Sequence, residues 1–219
     1  MGSITRSFAN NIGSSGILTA SAVTNATVED VTSFDNVTGA GTLVLLSTQT
    51  ASSSANISFT TGLDSTYEEY QFHFINMHPQ TDSVDFQFNL STDSGSNYNV
   101  TKTTTFFQAL HTEADVTLLE YQVDNDLAQS TAFQNICDNL GNDTDECISG
   151  VLTLFNPSST TYVKHFIIRS NQVHKDSASF DTNVAGYANT TSAINAIQFK
   201  MSSGNIDDGI IKLYGVKKS

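Results

Sequence analysis

The sequence predicts an all-β fold, an antiparallel β-sandwich of jelly-roll type that follows a short N-terminal helix and an extended arm. Ser, Thr and Asn make up about a third of the 219 residues, and this composition favours strands and turns over long helices. From residue 42 onward, short segments with strand-like alternation recur about every ten residues. Eight or more such segments fit two packed sheets, and a jelly roll is the first expectation.

The first element is a helix predicted over residues 3–13. Ser3 can cap its start and Gly13 can end it. Its apolar residues fall at positions i, i+4 and i+8 and so share one face: Ile4, Phe8 and Ile12. A helix this short is marginal alone in water. We therefore expect its apolar face to dock on the body or on a neighbouring subunit.

An extended arm is predicted between this helix and the body, over residues 13–41. Its apolar residues recur at every third position: Val28, Val31, Phe34 and Val37. This period is neither the 3.6 of a packed helix nor the 2 of a half-buried strand. It fits an arm or a threefold intertwined stem, and an irregular linker is the alternative. The chain is thus divided into an attachment segment, residues 1–41, and a body, residues 42–219.

The first half of the body contains five predicted strands. Ile57 and Phe59 lie on one face of the second strand, and period-two alternation also marks the third and fourth. Residues 93–97 form a predicted turn. Both prolines, Pro79 and Pro157, are predicted in loops because proline has no N–H for a sheet ladder. The five predicted strands are 43–48, 55–60, 70–75, 84–90 and 98–107.

The second half of the body starts with a helix-like or irregular insertion, predicted at 128–140. Strands 151–155 and 162–169 are predicted to be adjacent, since Pro157 fixes the backbone of a strong turn between them, at 156–160. The remaining predicted strands are 179–187, 193–201 and 210–216, with residues 204–209 joining the last two.

The charge of the chain bears on its partners and location. The formal net charge is −13, with only nine Lys and Arg residues, so a nucleic-acid polyanion would be repelled and no nucleic-acid partner is expected. No run of about 18 apolar residues is present, so no membrane association is predicted. The first ten residues lack the apolar stretch of a secretory signal, and assembly in a cytoplasm is expected.

The sequence offers no convergent catalytic set. Nucleophile elbows, zinc-protease motifs, Walker loops and dinucleotide-binding glycine turns are all absent. His73 and His78 could meet near Asp82 after folding, but isolated histidines that bind no metal are the expectation. Adjacent carboxylates such as Glu68 and Glu69 would point to opposite faces of a strand. We therefore predict a protein that is not an enzyme and that needs no cofactor or metal.

Two cysteines, Cys137 and Cys147, flank an acidic stretch. A cytosolic origin favours free thiols, and a disulfide closing this short loop is the alternative. The oxygen-bearing side chains of the stretch are Asp138, Asn142, Asp143, Asp145 and Glu146. They could bind calcium, but the spacing of an EF-hand loop is absent, so a solvated acidic turn is the expectation.

The sequence supports sugar binding better than catalysis, because sandwich domains often hold saccharides against aromatic side chains. The chain has no Trp, so only Tyr and Phe can supply such a platform. The candidate glycan-facing residues are Tyr98, Tyr121 and Tyr187. Phe106 and Phe107 are further candidates for exposure, although the core suits a phenylalanine better.

Six segments spread over most of the chain carry a sequence resemblance: residues 2–10 (GSITRSFAN), 46–54 (LSTQTASSS), 64–70 (DSTYEEY), 155–160 (FNPSST), 201–206 (MSSGNI) and 213–215 (LYG). They resemble small virion proteins of marine tailed bacteriophages, including cyanophages. The resemblance implies a structural component of the particle with a β-sandwich body, either a capsid decoration protein or a tail fibre, and a homotrimer. These segments identify a group of sequences rather than a chemistry.

Two functions follow as expectations. In the first, the protein is a capsid decoration or cement protein on the virion surface, and its N-terminal arm binds other virion proteins such as the major capsid protein. In the second, it is a tail fibre or spike subunit that adsorbs to host glycans through loops such as 93–97 or 138–146. A depolymerase acting on those glycans is a third and weaker alternative. An acidic protein suits the outer surface, away from packaged DNA.

Overall fold

The computed structural model describes residues 43–217, which form an all-β body. The predicted N-terminal helix and arm lie outside these residues. Within 43–217 the chain forms two sheets in which every pairing is antiparallel. The strands are β1 (Leu43–Ser54), β2 (Ile57–Phe59), β3 (Glu69–Pro79), β4 (Phe86–Ser91), β5 (Lys102–Thr112), β6 (Thr117–Tyr121), β7 (Gln134–Asn135), β8 (Ile148–Phe155), β9 (Lys164–His174), β10 (Ala178–Ala188), β11 (Ala196–Met201) and β12 (Ile206–Val216).

The two sheets differ in width. The larger has eight strands in the order β1-β12-β3-β8-β9-β10-β5-β6, and the smaller has four in the order β2-β11-β4-β7. The chain crosses from one sheet to the other between β1 and β2, between β2 and β3, and between β3 and β4. Two hairpins, β5–β6 and β9–β10, lie wholly in the larger sheet and extend it beyond β8.

Aromatic side chains join the two sheets in one core. Phe199 on β11 is fully buried and its ring lies 5.6 Å from that of Phe72 on β3. Phe74 on β3 meets Phe86 on β4 at 5.5 Å, and Phe88 on β4 meets Phe166 on β9 at 5.1 Å. Edge-to-face and tilted contacts at these distances are favourable beyond the area they bury. The smaller sheet therefore packs on the inner face of strands β3 to β9.

The predicted strands correspond to observed ones, and the adjacency of 151–155 and 162–169 is confirmed as the β8–β9 pair. Pro157 lies in the turn between them, as predicted. The insertion at 128–140 is irregular apart from the short strand β7, so its helix-like alternative is wrong. No helix within the described part of the chain is long and apolar enough to cross a membrane.

Two local predictions need correction. Pro79 is the last residue of β3 rather than a loop residue, and it is paired with Ile206. The end of a strand tolerates proline because the register shifts just beyond this pair, where regular ladder bonds are interrupted. The predicted connection at 204–209 is also too long, because β12 already begins at Ile206. Gly209 lies within β12 at φ 129°, a conformation that suits glycine.

Two lysines are buried in the interior. Lys102 and Lys164 are each 0% exposed and occupy one row of the larger sheet, both as partners of Ala188. The ammonium group of Lys164 donates hydrogen bonds to the backbone oxygens of Thr190 and Ser192, at 3.1 and 2.6 Å. A buried lysine requires such partners, since an unsatisfied charge in the interior is costly. Lys164 thus fixes the loop between β10 and β11.

Candidate binding groove on the outer face of the larger sheet

A groove of about 490 Å³ lies on the outer face of the larger sheet, across β9, β10 and β5. Two rows of paired residues line it, His165, Tyr187 and Thr103 in one and Ile167, Ala185 and Thr105 in the other. The methyl group of Ala185 is the smallest side chain of its row, so the surface is lowest there. Tyr187 and Ile167 form higher walls. The register of three strands, rather than any loop, shapes this depression.

Polar contacts hold Tyr187 at the rim of the groove. Its hydroxyl accepts a hydrogen bond from Gln129 Nε2 at 3.3 Å, and the same nitrogen donates to Thr103 Oγ1 at 2.7 Å. Asn189 Nδ2 donates to Gln129 Oε1 at 2.7 Å. The ring of Tyr187 lies 6.3 Å from that of His165. These contacts pre-organise an aromatic side chain beside amide groups that can bind a polar ligand.

A second aromatic pair continues the same face toward the sheet edge. Phe107 on β5 is the register partner of Tyr121 on β6, and these side chains are 43% and 49% exposed. The hydroxyl of Tyr121 donates to Asp126 Oδ2 at 2.5 Å, and this hydrogen bond raises the pKa of Tyr121. Phe107 is also the partner of Asn183 on β10. Tyr121 and Tyr187 therefore lie on one surface, because their partners on β5, Phe107 and Thr103, are four residues apart.

An ion pair lies beside these aromatic residues. Arg169 on β9 binds Asp181 on β10 through two hydrogen bonds, Nε to Oδ1 at 3.1 Å and Nη2 to Oδ2 at 2.9 Å. Both side chains belong to the outer face, and the pairing raises the pKa of Arg169. A flat surface with aromatic rings, a guanidinium group and amides can hold the apolar faces of sugar rings and bind their hydroxyl groups.

The other aromatic candidates do not belong to this surface. Tyr98 lies half-buried in the loop between β4 and β5, and its backbone oxygen accepts a hydrogen bond from Asn89 Nδ2 at 2.7 Å. Phe106 points inward and is 0% exposed, whereas its neighbour Phe107 points outward. Strand alternation separates the two phenylalanines, which the sequence left as equal candidates.

The two loops considered for glycan adsorption have different structures. In the turn at 93–97, the Asp93 carboxylate accepts hydrogen bonds from Ser91 Oγ at 2.7 Å and from the backbone and side chain of Asn97. These bonds lower the pKa of Asp93 to about 2. In the acidic stretch, Glu146 is buried and accepts from the Asp143 N–H at 2.8 Å, while Asp145 is exposed. Both loops use carboxylates mainly to hold their own backbone.

His78 and Cys147 line a common surface pocket, whereas Cys137 is buried in the core. Cys137 and Cys147 are free thiols, and burial raises the pKa of each, most for Cys137. The ring of His73 lies 4.9 Å from that of Tyr214 in a tilted contact, and burial lowers the pKa of His73. His78 lies 3.9 Å from Asp207 instead. Within residues 43–217 there is no group of three or more His, Cys, Asp or Glu side chains placed to bind a metal ion.

Sequence reasoning identified Tyr121 and Tyr187 but missed their neighbours, His165, Ile167, Gln129 and the Arg169–Asp181 pair. Gln129 comes from the insertion at 128–140, and its contact with Thr103 cannot be read from local sequence. The arm residues proposed for attachment lie outside the described part of the chain. Comparisons with protein-family models, with curated proteins and with solved structures found no match to this chain.

Proposed function

We propose that this chain is a non-enzymatic structural protein of a bacteriophage particle, located on the virion surface and built on a jelly-roll β-sandwich. The strand pairing carries the proposal. When the hairpins β5–β6 and β9–β10 are set aside, eight strands remain, and the first four pair with the last four in reverse order: β1 with β12, β2 with β11, β3 with β8 and β4 with β7. Such a folded antiparallel ribbon is the jelly roll that viral capsid and lectin domains use.

Charge supports an outer location. The chain carries a net charge of −13, which opposes contact with packaged DNA and favours solubility on an exposed surface. In the proposed role the protein decorates or cements the capsid as a homotrimer. Its arm binds other virion proteins such as the major capsid protein through apolar residues: Ile4, Phe8, Ile12, Val28, Val31, Phe34 and Val37.

Deletion of residues 1–13 tests this role of the arm. We expect the shortened protein to fold, because strands β1 to β12 build a core between their own two sheets, but not to be incorporated into particles. Incorporation is measured by gel densitometry of purified virions, and folding by far-UV circular dichroism. The double substitution Ile4→Asp and Phe8→Asp serves as a milder variant. Normal incorporation of both proteins would contradict the attachment role.

The number of copies of this protein per particle distinguishes a capsid decoration protein from a tail component. A decoration protein follows the symmetry of the capsid and reaches the order of hundreds of copies, whereas a tail component reaches about a few tens. Densitometry against the major capsid protein measures this ratio. A count in the low tens would remove the decoration role and leave the tail.

The groove favours a second candidate function, a tail fibre or spike subunit that adsorbs to host glycans. Tyr187 would stack on a sugar ring, and Tyr121 would extend the platform toward the sheet edge. Tyr187→Ala is expected to weaken binding to purified host surface polysaccharide at least about tenfold, since loss of an anchoring aromatic at a binding hot spot costs about 2 kcal/mol or more and about 1.4 kcal/mol is tenfold. Biolayer interferometry measures this binding.

Tyr98→Ala is the matched control, because it removes a tyrosine that lies away from the groove. We expect it to bind polysaccharide as the unchanged protein does. Equal binding by all three proteins, or loss of binding only in Tyr98→Ala, would contradict the groove as a glycan site.

A further inference from the structure

Among residues 43–217, four buried side-chain oxygens have no hydrogen-bond donor. They are Gln108 Oε1, Asp138 Oδ1, Gln172 Oε1 and Thr182 Oγ1. The residues Gln108, Gln172 and Thr182 are 2%, 1% and 0% exposed. Buried polar atoms are nearly always paired with protein groups or with a bound species. A set that consists only of oxygens requires an explanation of its own.

The sheet register brings these side chains together. Thr182 on β10 is the direct partner of Gln108 on β5 and of Ser170 on β9, and all three point inward. Gln172 follows Ser170 by two residues and so points to the same face. Neighbouring inward side chains in such a row have Cβ atoms about 5 Å apart. Thr182 and Gln108 are thus immediate neighbours, and Gln172 lies in the next row of the same inner surface, diagonal to Thr182.

Asp138 reaches this surface from the segment that covers it. The hydroxyl of Ser170 donates to the backbone oxygen of Ile136 at 3.2 Å, and Gln172 Nε2 donates to that of Asp138 at 2.6 Å. The segment therefore runs directly over β9. The bond made by Nε2 also fixes the amide of Gln172, so its Oε1 points away from Asp138 O and remains available.

Negative charge at this place has no basic partner. Asp85 and Asp138 lie close together, because Asn139 donates hydrogen bonds to both, from its backbone N–H to Asp85 Oδ1 at 3.2 Å and from Nδ2 to Asp138 Oδ2 at 3.4 Å. None of the ion pairs among residues 43–217 joins either carboxylate to Lys or Arg. The ion-pair partner of His174 is Asp176 rather than Asp138, with Nδ1 3.6 Å from Oδ2. A bound cation would offset the excess charge.

We propose that Gln108, Asp138, Gln172 and Thr182 bind a calcium ion in the interior between β5, β9, β10 and the 136–138 segment. One carboxylate, two amide oxygens and one hydroxyl are the hard oxygen ligands that Ca²⁺ takes, six to eight at a time. Backbone oxygens and water complete the coordination. The ion would link the 136–138 segment to strands β5, β9 and β10 and so stabilise the folded state. This site differs from the exposed acidic turn, since Asp143 and Asp145 take no part in it.

Titration of the chelator-treated full chain with CaCl2 tests the site, with MgCl2 and NaCl at equal ionic strength as comparisons. Isothermal calorimetry gives the affinity, and the melting temperature reports on stability. We expect one Ca²⁺ per chain and a rise in melting temperature with CaCl2 that MgCl2 does not reproduce. Asp138→Asn is expected to abolish both effects. Thr182→Val, which keeps the side-chain shape, is expected to weaken Ca²⁺ binding at least about tenfold.

Asp145→Asn is the matched control, because it removes an equal charge from the exposed turn nearby. It is expected to bind Ca²⁺ as the unchanged protein does. Loss of binding in Asp145→Asn with retention in Thr182→Val would move the site to the surface turn and overturn the proposal. A flat titration of the unchanged protein would also overturn it, and would assign the four oxygens to buried water. If Asp138→Asn does not fold, Thr182→Val alone decides.

Discussion

Phe199→Ala is expected to lower the free energy of unfolding by about 3–5 kcal/mol, the range for a large aromatic removed from a close-packed core. The Phe199 ring is 0% exposed and lies between both sheets. It is 6.4 Å from the ring of Phe59, 5.6 Å from Phe72, 5.9 Å from Phe86 and 6.5 Å from Phe88. The four surrounding rings can relax only partly into the cavity that the substitution leaves. Urea denaturation followed by circular dichroism measures the loss.

Phe107→Ala provides the control for this substitution. It removes the same side chain from the outer face, where Phe107 is 43% exposed. We expect the free energy of unfolding to fall by about 1 kcal/mol or less, since water already contacts much of the exposed ring and few protein contacts are lost. Equal losses for Phe107→Ala and Phe199→Ala would contradict the assignment of Phe199 to the centre of a shared core.

The second large effect is a rise in stability between pH 7 and 8.5 that depends on Lys102. The ammonium group of Lys102 donates to Asn89 Oδ1 at 2.5 Å and to the Val100 oxygen at 2.9 Å, and burial lowers its pKa to about 7. In the unfolded chain a lysine keeps its proton to about pH 10.4. The unfolded state thus binds more protons in this interval, and stability must increase with pH.

The expected gain is about 1.5 kcal/mol from pH 7 to 8.5, since the slope approaches about 1.4 kcal/mol per pH unit above the folded pKa. The interval ends below the ordinary thiol pKa of 9.0, because burial raises the pKa of Cys137 and the titration of this thiol would act in the opposite direction. Urea denaturation at several pH values measures the slope.

Lys102→Met removes the titrating group and is expected to reduce the slope by more than half. Lys200→Met is the matched control, because Lys200 lies at the surface over the ring of Phe133, 4.4 Å from its centroid. It should leave the pH dependence unchanged. A stability that stays level from pH 7 to 8.5 in the unchanged protein would contradict a lowered pKa for Lys102.

Much of the all-β fold could be predicted from periodicity, because apolar and polar residues alternate along a strand that has one buried face. The β3 and β4 segments do so clearly. In β9 the signal fails, since both faces mix polar and apolar residues. Its inward residues are Lys164, Phe166, Ile168, Ser170, Gln172 and His174, and its outward ones include Ile167 and Val173. Local sequence cannot tell which face is the core there.

The candidate groove could be predicted only in part. Tyr187 was found because the chain has no Trp and most of its other aromatic residues occupy core-like positions. Its neighbours come from 103–105 and 165–167, and only the register of β5, β10 and β9 joins them. The buried lysines were missed for a different reason. Lysine is almost always a surface residue, and its burial is tolerable here because oxygens accept hydrogen bonds from both side chains. Lys102 uses the side chain of Asn89 and the nearby backbone oxygen of Val100, whereas Lys164 uses backbone oxygens of the 189–195 loop.

The unequal width of the two sheets has a consequence for the architecture. Eight strands span about 34 Å and four span about 14 Å at the usual spacing of neighbours, so the smaller layer cannot roof the larger one. Beyond the smaller sheet, the 122–142 segment also covers part of the inner face of β5 and β9, where its side chains and backbone contact Thr104, Ser170 and Gln172. Strand β6 stays mostly exposed. Strands β1 to β4 pair with β7, β8, β11 and β12 without any contribution from the hairpins β5–β6 and β9–β10. These two hairpins can therefore change in length and in the side chains they present while the other eight strands stay the same.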